Sequence, residues 1–485
     1  MDGLARRGIV GAWFAGSSTV LTSITQAVKL VVLARLLPPE DFGVVGMAMV
    51  VIACAGIAAD LGLGGAVIQR DEVPPRLLSS LFWLSLVSGV LLAAGLAAAS
   101  SWIALLFHEP RVAPVLSGLA LLFVVQPLGA LHQALAEKGL RFRRLAAIDV
   151  AASTAGSAAG IAAALSGLGV AALVLDPLSA AATRAGLLLA TTREGWRPRW
   201  VFDRRGLRGY LTFGLLSVGQ RTANYVTANV DYALVGGFLG ASALGVYKMA
   251  YELATLTPGR LNLVVSRVFF PVLARVASDR NRFRAAFLRM QETVTLLGAP
   301  IVTGIGLVAP LAIPGLLGAR WLPAVPLVRI LCLAGLCRVI GGTIGPALLA
   351  AGRPDLGLRW SLLVVAIQVP VLALAVSRGG TVAVAWAIAA LQLLYVVLNY
   401  RFLVRTLFGP CLAAFARANL PAVALSATMA AGVAGAAAAT GELGWRTALT
   451  IEVAVGAAVY LALVLTFKRR IIADLSLAAG QERAR

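Results

Sequence analysis

The sequence has little charge and few long polar stretches. Only 13% of its 485 residues are charged, whereas 60% are hydrophobic. A water-facing globule cannot bury so much apolar surface in one core, so the composition excludes an ordinary soluble protein. No loop is long enough to fold as a separate domain.

Residues that bind metals or act as nucleophiles are also scarce. The two histidines, His108 and His132, have no nucleophile at motif spacing, and no GxxxxGK[ST] phosphate loop is present. The cysteines have no metal-ligand spacing and are interpreted as ordinary buried apolar residues. They are Cys54, Cys332, Cys337 and Cys411. We therefore expect no cofactor, no metal site and no catalytic centre.

Apolar runs of about 20 residues recur along the whole chain, which is the length that a helix needs to cross a bilayer. The pattern predicts an all-α polytopic membrane protein with about 14 transmembrane helices. The first is expected to remain uncleaved, because no small-residue cleavage site follows a short apolar core. The predicted spans are 10–36, 43–68, 79–102, 113–136, 145–167, 170–191, 209–237, 243–268, 286–308, 325–350, 359–378, 381–400, 418–439 and 447–467.

The net charge of +21 is unevenly distributed between the two sides of this predicted topology. With the N-terminus in the cytoplasm, most loop lysines and arginines lie on the cytoplasmic side, including Arg141, Arg143 and Arg144. The opposite side holds only Arg111, Arg320, Arg378 and Arg446. This positive-inside bias predicts that both termini are cytoplasmic, and it leaves no need for a nucleic-acid partner.

A weak internal repeat organises the chain. Shifting the sequence by 202 positions places LARLLPPEDFGVVGMAMV (33–50) over VGGFLGASALGVYKMAYE (235–252), with Gly43 over Gly245 and Met47 over Met249. The repeat predicts two pseudo-symmetric six-helix lobes, an N-lobe at 1–208 and a C-lobe at 209–410, followed by two helices and a tail at 411–485. Transporters built this way bind their substrates between the lobes. Chance similarity between Gly- and Ala-rich helices is the alternative.

The same shift places Lys29 over Asp231, and both lie on polar stripes at helical spacing. A polar stripe within a membrane helix faces something other than lipid, so we expect a shared central cavity. Its candidate substrate-binding residues are Gln26, Lys29, Arg221, Asn224, Lys248 and Arg260, and the candidate counter-charges or ion-coupling sites are Asp60, Asp231 and Glu252.

Basic residues outnumber acidic ones within the predicted spans. An excess of fixed cations in a low-dielectric cavity favours an anionic cargo, and arginine and lysine both suit a diphosphate. Tyrosines near these charges can hydrogen-bond or stack against sugars: Tyr225, Tyr232, Tyr247 and Tyr251. The alternative for Lys248 and Glu252, which are four residues apart, is a structural ion pair.

Several stretches resemble a known family: LARLLPPEDFGVVGMA (33–48), ADLGLGGAVIQ (59–69), the long segment 234–276 and GARWLPAVPLVRIL (318–331). Together they are similar to the polysaccharide-transporter branch of the multidrug/oligosaccharidyl-lipid/polysaccharide flippase superfamily. The resemblance implies an alternating-access flippase in the bacterial inner membrane that carries undecaprenyl-diphosphate-linked oligosaccharide from the cytoplasmic to the periplasmic leaflet. Because no phosphate loop for ATP is present, we expect ion gradients or coupled metabolism to supply the energy, and a polysaccharide polymerase and export proteins are candidate partners. Lys29 is then a diphosphate contact, with Asp231 opposite it.

Two other classes stay open. A multidrug or cation antiporter of the same superfamily would have a cavity dominated by carboxylates, whereas basic residues outnumber acidic ones within the predicted spans of this sequence. A membrane-embedded polysaccharide polymerase or glycosyltransferase would need a sizeable loop that carries acid, base or nucleotide-binding groups, and the sequence has none.

Overall fold

In the computed structural model of the chain, residues 21–59, 67, 74–191, 196–201 and 204–467 are described. These residues are almost entirely helical, and no strand occurs among them. The chain forms two compact units, Met1–Gly245 and Val246–Arg485.

The first unit begins with helix α1, whose described part is 21–36. The helices that follow it are α2 (Pro39–Ala59), α3 (Pro75–Leu106), α4 (Val112–Ala120), α5 (Leu122–Lys138), α6 (Phe142–Leu165) and α7 (Ala171–Ala190). A long helical segment, α8 (Arg204–Val276), runs from the first unit into the second.

The second unit continues with α9 (Arg280–Ala312), α10 (Ala324–Gly341), α11 (Ile344–Ala350), α12 (Pro354–Asn399), α13 (Arg405–Phe408), α14 (Leu412–Ala439) and α15 (Trp445–Phe467). Two single turns of wider π-helix, at Ile313–Leu317 and Tyr400–Val404, follow α9 and α12. Helix α9 packs against α10, α14 and α15, and α10 also packs against α12.

Glycines interrupt the two longest helical segments. In α8, Gly240 has φ 81° and ψ −178°, and in α12, Gly380 has φ 64° and ψ −157°. Residues with a Cβ rarely adopt such positive φ values, so each glycine permits a sharp break. The break at 240 lies between the predicted spans 209–237 and 243–268. The break at 379–380 lies between the predicted spans 359–378 and 381–400.

Eleven of the described helical segments are long and apolar enough to cross a membrane. They include α12 with its continuation, Pro354–Phe408, as a single segment of 55 residues. At a rise of about 1.5 Å per residue, that segment is far longer than one crossing requires. The prediction of a polytopic, all-helical membrane protein is confirmed.

Close helix contacts in the first unit occur at small residues. A Cβ at Gly89 of α3 would lie 2.0 Å from the carbonyl oxygen of Phe123 in α5. On α6, Gly156 and Gly160 form a GxxxG spacing, and a Cβ at Gly156 would lie 2.7 Å from the carbonyl oxygen of Asp176 in α7. Such spacing allows membrane helices to approach at backbone distance. It brings α7 directly against α6.

A buried polar cluster joins three parts of the second unit. The side chain of Gln291 in α9 donates to Asn419 Oδ1 in α14 at 2.8 Å, and Thr295 donates to the same oxygen at 2.7 Å. Thr343, which precedes α11, donates to Gln291 Oε1. All four side chains are buried. Because buried polar groups are stable only when they are hydrogen-bonded, this cluster fixes the relative positions of α9, α11 and α14.

Candidate functional site

A polar cavity of about 690 Å³ lies within the first unit, between α1, α5, α6 and α7. Its size falls in the range of about 300 to 1,000 Å³ that is usual for ligand pockets. Polar and charged side chains from all four helices line it: Thr22, Gln26, Lys29, Gln126, Gln133, Asp149, Ser153, Asp176 and Arg184. We refer to it as the first-unit cavity.

Helix α1 contributes the polar stripe that the sequence predicts. Thr22, Gln26 and Lys29 are spaced by four and three residues, so they lie on one face of the helix, and all three line the cavity. Leu21, Ile24 and Val28 of the same helix are exposed instead. The amphipathic pattern of α1 therefore separates an apolar surface from the cavity wall.

Two ion pairs cross the cavity. Lys29 Nζ lies 2.6 Å from Asp176 Oδ2, joining α1 to α7, and Arg184 Nη2 lies 2.8 Å from Asp149 Oδ1, joining α7 to α6. The side chains of Lys29 and Asp176 are 21% and 17% exposed, and those of Arg184 and Asp149 are 40% and 39% exposed. Both pairs are thus accessible from the cavity, so a ligand can reach their charges.

The backbone of α7 places Asp176 at the cavity. Gly156 and Gly160 of α6 face Asp176 directly, because a Cβ at either position would come within 3.0 Å of an Asp176 atom. Pro177, the next residue of α7, lines the cavity and has no backbone N–H to donate to the preceding turn. The close α6–α7 contact therefore determines how far Asp176 reaches toward Lys29.

The charges of this cavity are balanced, and the cationic excess expected for a shared central cavity stays a prediction. Among its described lining residues, two cations face two carboxylates, and each cation is paired. The carboxylate that binds Lys29 is Asp176 rather than Asp231, which the sequence repeat placed opposite it. The repeat relates positions in sequence, whereas this contact arises from the packing of α1 on α7.

The other candidate residues lie elsewhere in the chain. Asp231 in α8 is buried, with 2% of its surface exposed. Lys248 and Glu252 lie 3.9 Å apart as an ion pair across one helical turn in the second unit. Asp60 lies outside the described residues, as do the side chains of Arg221, Asn224 and Arg260. Binding or ion coupling by any of these residues stays a prediction.

Three of the four tyrosines are less available to sugars than expected. The Tyr225 hydroxyl donates to the carbonyl oxygen of Val50 at 2.6 Å, and Tyr247 is fully buried. Tyr251 is buried as well, and the Arg338 guanidinium lies 5.2 Å from the centre of its ring. The ring centre of Tyr247 lies 6.0 Å from that of Tyr251, and Tyr247, because it is fully buried, cannot stack against a sugar.

Sequence reasoning did not assign Asp149, Asp176 or Arg184 to the site. A signal was present on α7, where Asp176 and Arg184 are separated by eight residues and so lie near the same helix face. Gln126, Gln133 and Ser153 gave no comparable signal, because isolated amides and hydroxyls are common in membrane helices.

The helices and the polar cavity of the first unit define a polytopic membrane protein, and its fold is shared with a flippase and a multidrug transporter. Its structure is similar to that of the lipid II flippase MurJ in an inward closed conformation, with a TM-score of 0.77, 14% identity, and 94% of this chain and 99% of that chain covered. It also resembles an inward-facing multidrug resistance transporter of the MATE family, with a TM-score of 0.63, 15% identity, and 80% and 94% of the two chains covered.

Residues 32–326 match the polysaccharide biosynthesis protein family, and the chain belongs to that family. It is 31% identical to the teichuronic acid biosynthesis protein TuaB of Bacillus subtilis, over 96% of each chain. It is 27% identical to the lipopolysaccharide biosynthesis protein WzxC of Escherichia coli, over 84% of this chain and 82% of that one. Identity is also 27% to the succinoglycan biosynthesis transport protein ExoT of Rhizobium meliloti, over 69% and 68%.

Proposed function

We propose that the protein is a flippase for polysaccharide repeat units, which moves undecaprenyl-diphosphate-linked oligosaccharides from the cytoplasmic to the periplasmic leaflet of a bacterial inner membrane. The observation that carries the proposal is the first-unit cavity with its two accessible ion pairs. Charged residues inside membrane helices are unfavourable unless they serve a pathway or a site. Membership of the polysaccharide biosynthesis family supports a glycan precursor as the cargo.

The two cations of the cavity serve different parts of the cargo. Asp176 and Arg184 are eight residues apart on α7, a rise of about 12 Å, which exceeds the reach of one diphosphate group. Lys29, held by Asp176, lies nearer the start of α7, whereas Arg184 lies nearer its end and the arginine-rich segment that follows. We assign the diphosphate to Lys29 and an entry contact to Arg184. A phosphate that replaces either carboxylate partner keeps the cation paired.

Gln26, Gln126 and Gln133 supply both hydrogen-bond donors and acceptors to the cavity wall. This chemistry matches sugar hydroxyl groups, which also donate and accept. Gln133 already donates one N–H to Glu137 at 2.8 Å, so its second N–H and its oxygen remain available to a ligand.

The proposal includes a finer architecture. We count 14 spans by dividing α8 at Gly240 and α12 at Gly379–Gly380 and by adding α1 to the set. They would form lobes at 1–208 and 209–410, with two appended helices and cytoplasmic termini, as the arginine-rich loops indicate. Asp60, Asp231 and Glu252 are the candidates for ion coupling, and a polysaccharide polymerase and export proteins are candidate partners.

The two rival classes have less support. The fold is shared with a multidrug transporter, so the fold alone does not exclude drug efflux. Sequence relatives with polysaccharide biosynthesis names, one of them named as a transport protein, favour the glycan precursor. Membership of a family with such relatives also argues against a polymerase or a glycosyltransferase.

The test is a deletion in the host strain, complemented by wild type, Lys29→Ala, Arg184→Ala or the matched control Arg111→Ala, whose arginine lies outside the cavity. Polyprenyl-linked oligosaccharide and exported polysaccharide are quantified in each strain, with protein levels measured by blotting. We expect lipid-linked oligosaccharide to accumulate in the deletion and in both cavity variants, and export to return with wild type and with Arg111→Ala.

Unchanged lipid-linked oligosaccharide and export in the deletion, in a host with no second flippase, would refute the proposed function. Altered drug susceptibility in that strain would then favour the antiporter. Full rescue by normally expressed Lys29→Ala would refute only the role of Lys29.

A further inference from the structure

The second unit contains a smaller cavity that the proposed transport path does not use. It has a volume of about 350 Å³ and lies between α9, α10, α14 and α15, at the ends of these helices opposite the arginine-rich loops at 275–289 and 401–417. Its walls are mostly apolar: Leu307, Pro310, Leu311, Val433, Leu443 and several alanines. Two lining residues carry charge, Glu452 and Arg329.

Glu452 is a buried carboxylate that faces this cavity. Only 3% of the residue is exposed, yet it forms no hydrogen bond or ion pair with any residue that the structure describes. Burial disfavours the charged form of a carboxyl group that has no partner, and a cation that enters the cavity would stabilise it. The cavity is the direction from which that cation can come.

Arg329 supplies the opposite charge in the same cavity. It is exposed, and within the described part of the chain it likewise makes no ion pair or hydrogen bond, including none to Glu452 within 4.0 Å. Arg329 is five residues into α10 and Glu452 is seven residues into α15, so they lie about 8 and 10 Å from the same ends of their helices. The two charges share one cavity at similar depth without contact.

A ligand with a single charge does not satisfy both groups. An anion would pair with Arg329 but lie near the Glu452 carboxylate, and a cation would lie near the guanidinium. A molecule with both charges satisfies the two groups together. A primary ammonium offers three donors to the carboxylate, and a phosphate matches the planar fork of the guanidinium.

We propose that the cavity lined by Glu452 and Arg329 binds a zwitterion that carries a primary ammonium and a phosphate, the headgroup chemistry of phosphatidylethanolamine. On the orientation proposed above, the cavity lies at the periplasmic ends of these helices. The apolar walls suit the hydrocarbon that adjoins such a headgroup. The same chemistry exists in free phosphoethanolamine, so the test must distinguish a lipid from a soluble source.

The experiment uses the purified full-length protein in detergent. Bound lipids are counted by native mass spectrometry after titration with phosphatidylethanolamine, phosphatidylcholine or phosphatidylglycerol of identical acyl chains, and thermal unfolding is followed with each lipid and with phosphoethanolamine. The variants are Glu452→Gln and Arg329→Gln. Charge-matched controls are Glu442→Gln and Arg320→Gln, which change exposed residues at the same end of the unit but outside the cavity.

We expect wild type and both controls to bind phosphatidylethanolamine at least about tenfold more tightly than the other two lipids, a difference of about 1.4 kcal/mol. Phosphatidylcholine has no N–H to donate to Glu452, and phosphatidylglycerol has no cation. Glu452→Gln should lose this preference, and Arg329→Gln should bind all three lipids more weakly, because each carries the phosphate that Arg329 contacts. Both variants should retain a cooperative unfolding transition. Stabilisation by phosphoethanolamine at millimolar concentration would assign the site to a soluble zwitterion.

Equal binding of the three lipids by wild type, with no stabilisation by phosphoethanolamine, would overturn the proposal and leave a cavity that holds water only. An unchanged lipid preference in Glu452→Gln, or unchanged lipid affinities in Arg329→Gln, would also overturn it. The readout is binding rather than export, so the result does not depend on the transport function.

Discussion

Gly43 in the first helical turn of α2 lies against the backbone of Ala241 in α8. Gly245, in the helical turn of α8 that begins at Ala241, lies against the backbone of Pro39 at the start of α2. A Cβ at Gly43 would come within 1.7 Å of the carbonyl oxygen of Ala241, and a Cβ at Gly245 would come within 1.8 Å of the carbonyl oxygen of Pro39. The contact is reciprocal under the shift of 202 positions, which relates Pro39 to Ala241 and Gly43 to Gly245. Reciprocity of this kind is expected where two equivalent elements meet about a twofold axis. It supports the proposed sequence repeat.

Gly43→Ala and Gly245→Ala should each destabilise the protein and reduce export. The added methyl group meets a backbone atom, which cannot rotate away, so the two turns must separate. Overpacking of this kind typically costs about 1 to 3 kcal/mol. The measurements are thermal unfolding in detergent and export in the complemented deletion strain.

Gly237→Ala is the matched control, since a Cβ at that position of α8 meets nothing within 4 Å. The double variant Gly43→Ala/Gly245→Ala should be less destabilised than the sum of the single variants, because one separation of the turns accommodates both methyl groups. Strict additivity would show that the two contacts are independent.

Exchanging the charges of Lys29 and Asp176 separates a structural ion pair from a ligand contact. Lys29→Asp and Asp176→Lys should each lower the melting temperature, because each single change places two like charges together. The double exchange restores the pair and should restore stability. Export should stay low in the double variant, since the cation then projects from α7 instead of α1. Full recovery of export would assign the pair a structural role alone.

Local patterns in the sequence predict the helices and the polar face of α1. The residues Thr22, Gln26 and Lys29 are close in sequence, so helical periodicity alone places them on one face. The breaks at Gly240 and at Gly379–Gly380 likewise follow from short glycine-containing stretches between apolar runs. The helices themselves follow from composition, because backbone groups in a bilayer must be satisfied internally.

Contacts between distant helices were not predictable in the same way. Lys29 and Asp176 are 147 residues apart, and their contact depends on Gly156 and Gly160 admitting α7 at backbone distance. The count of intramembrane charges suggested a cationic cavity. Because ion pairing is decided by packing, that count did not reveal that Lys29 and Arg184 each have a carboxylate partner.

Gly156→Ala should reduce export by displacing Asp176. The added methyl group would lie 2.7 Å from the Asp176 carbonyl oxygen and 2.8 Å from the Ala180 Cβ, so α7 must move away from α6. Gly186→Ala on α7 is the control, because a Cβ there meets nothing within 4 Å. Export and protein level are compared in the complemented deletion strain. Normal export by Gly156→Ala would show that export does not require Asp176 to stay at this position.

Asn419→Leu should lower the stability of the second unit without changing the first-unit cavity. Asn419 accepts hydrogen bonds from Gln291 and Thr295, both fully buried, and its loss leaves these donors with fewer partners. An unsatisfied buried polar group costs about 1 to 3 kcal/mol, which should appear as a lower melting temperature in detergent. Thr293→Ala is the control, since that exposed hydroxyl bonds only to Arg289 of its own helix. Equal melting temperatures for Asn419→Leu and Thr293→Ala would mean that apolar packing, rather than this polar cluster, holds α9 against α14.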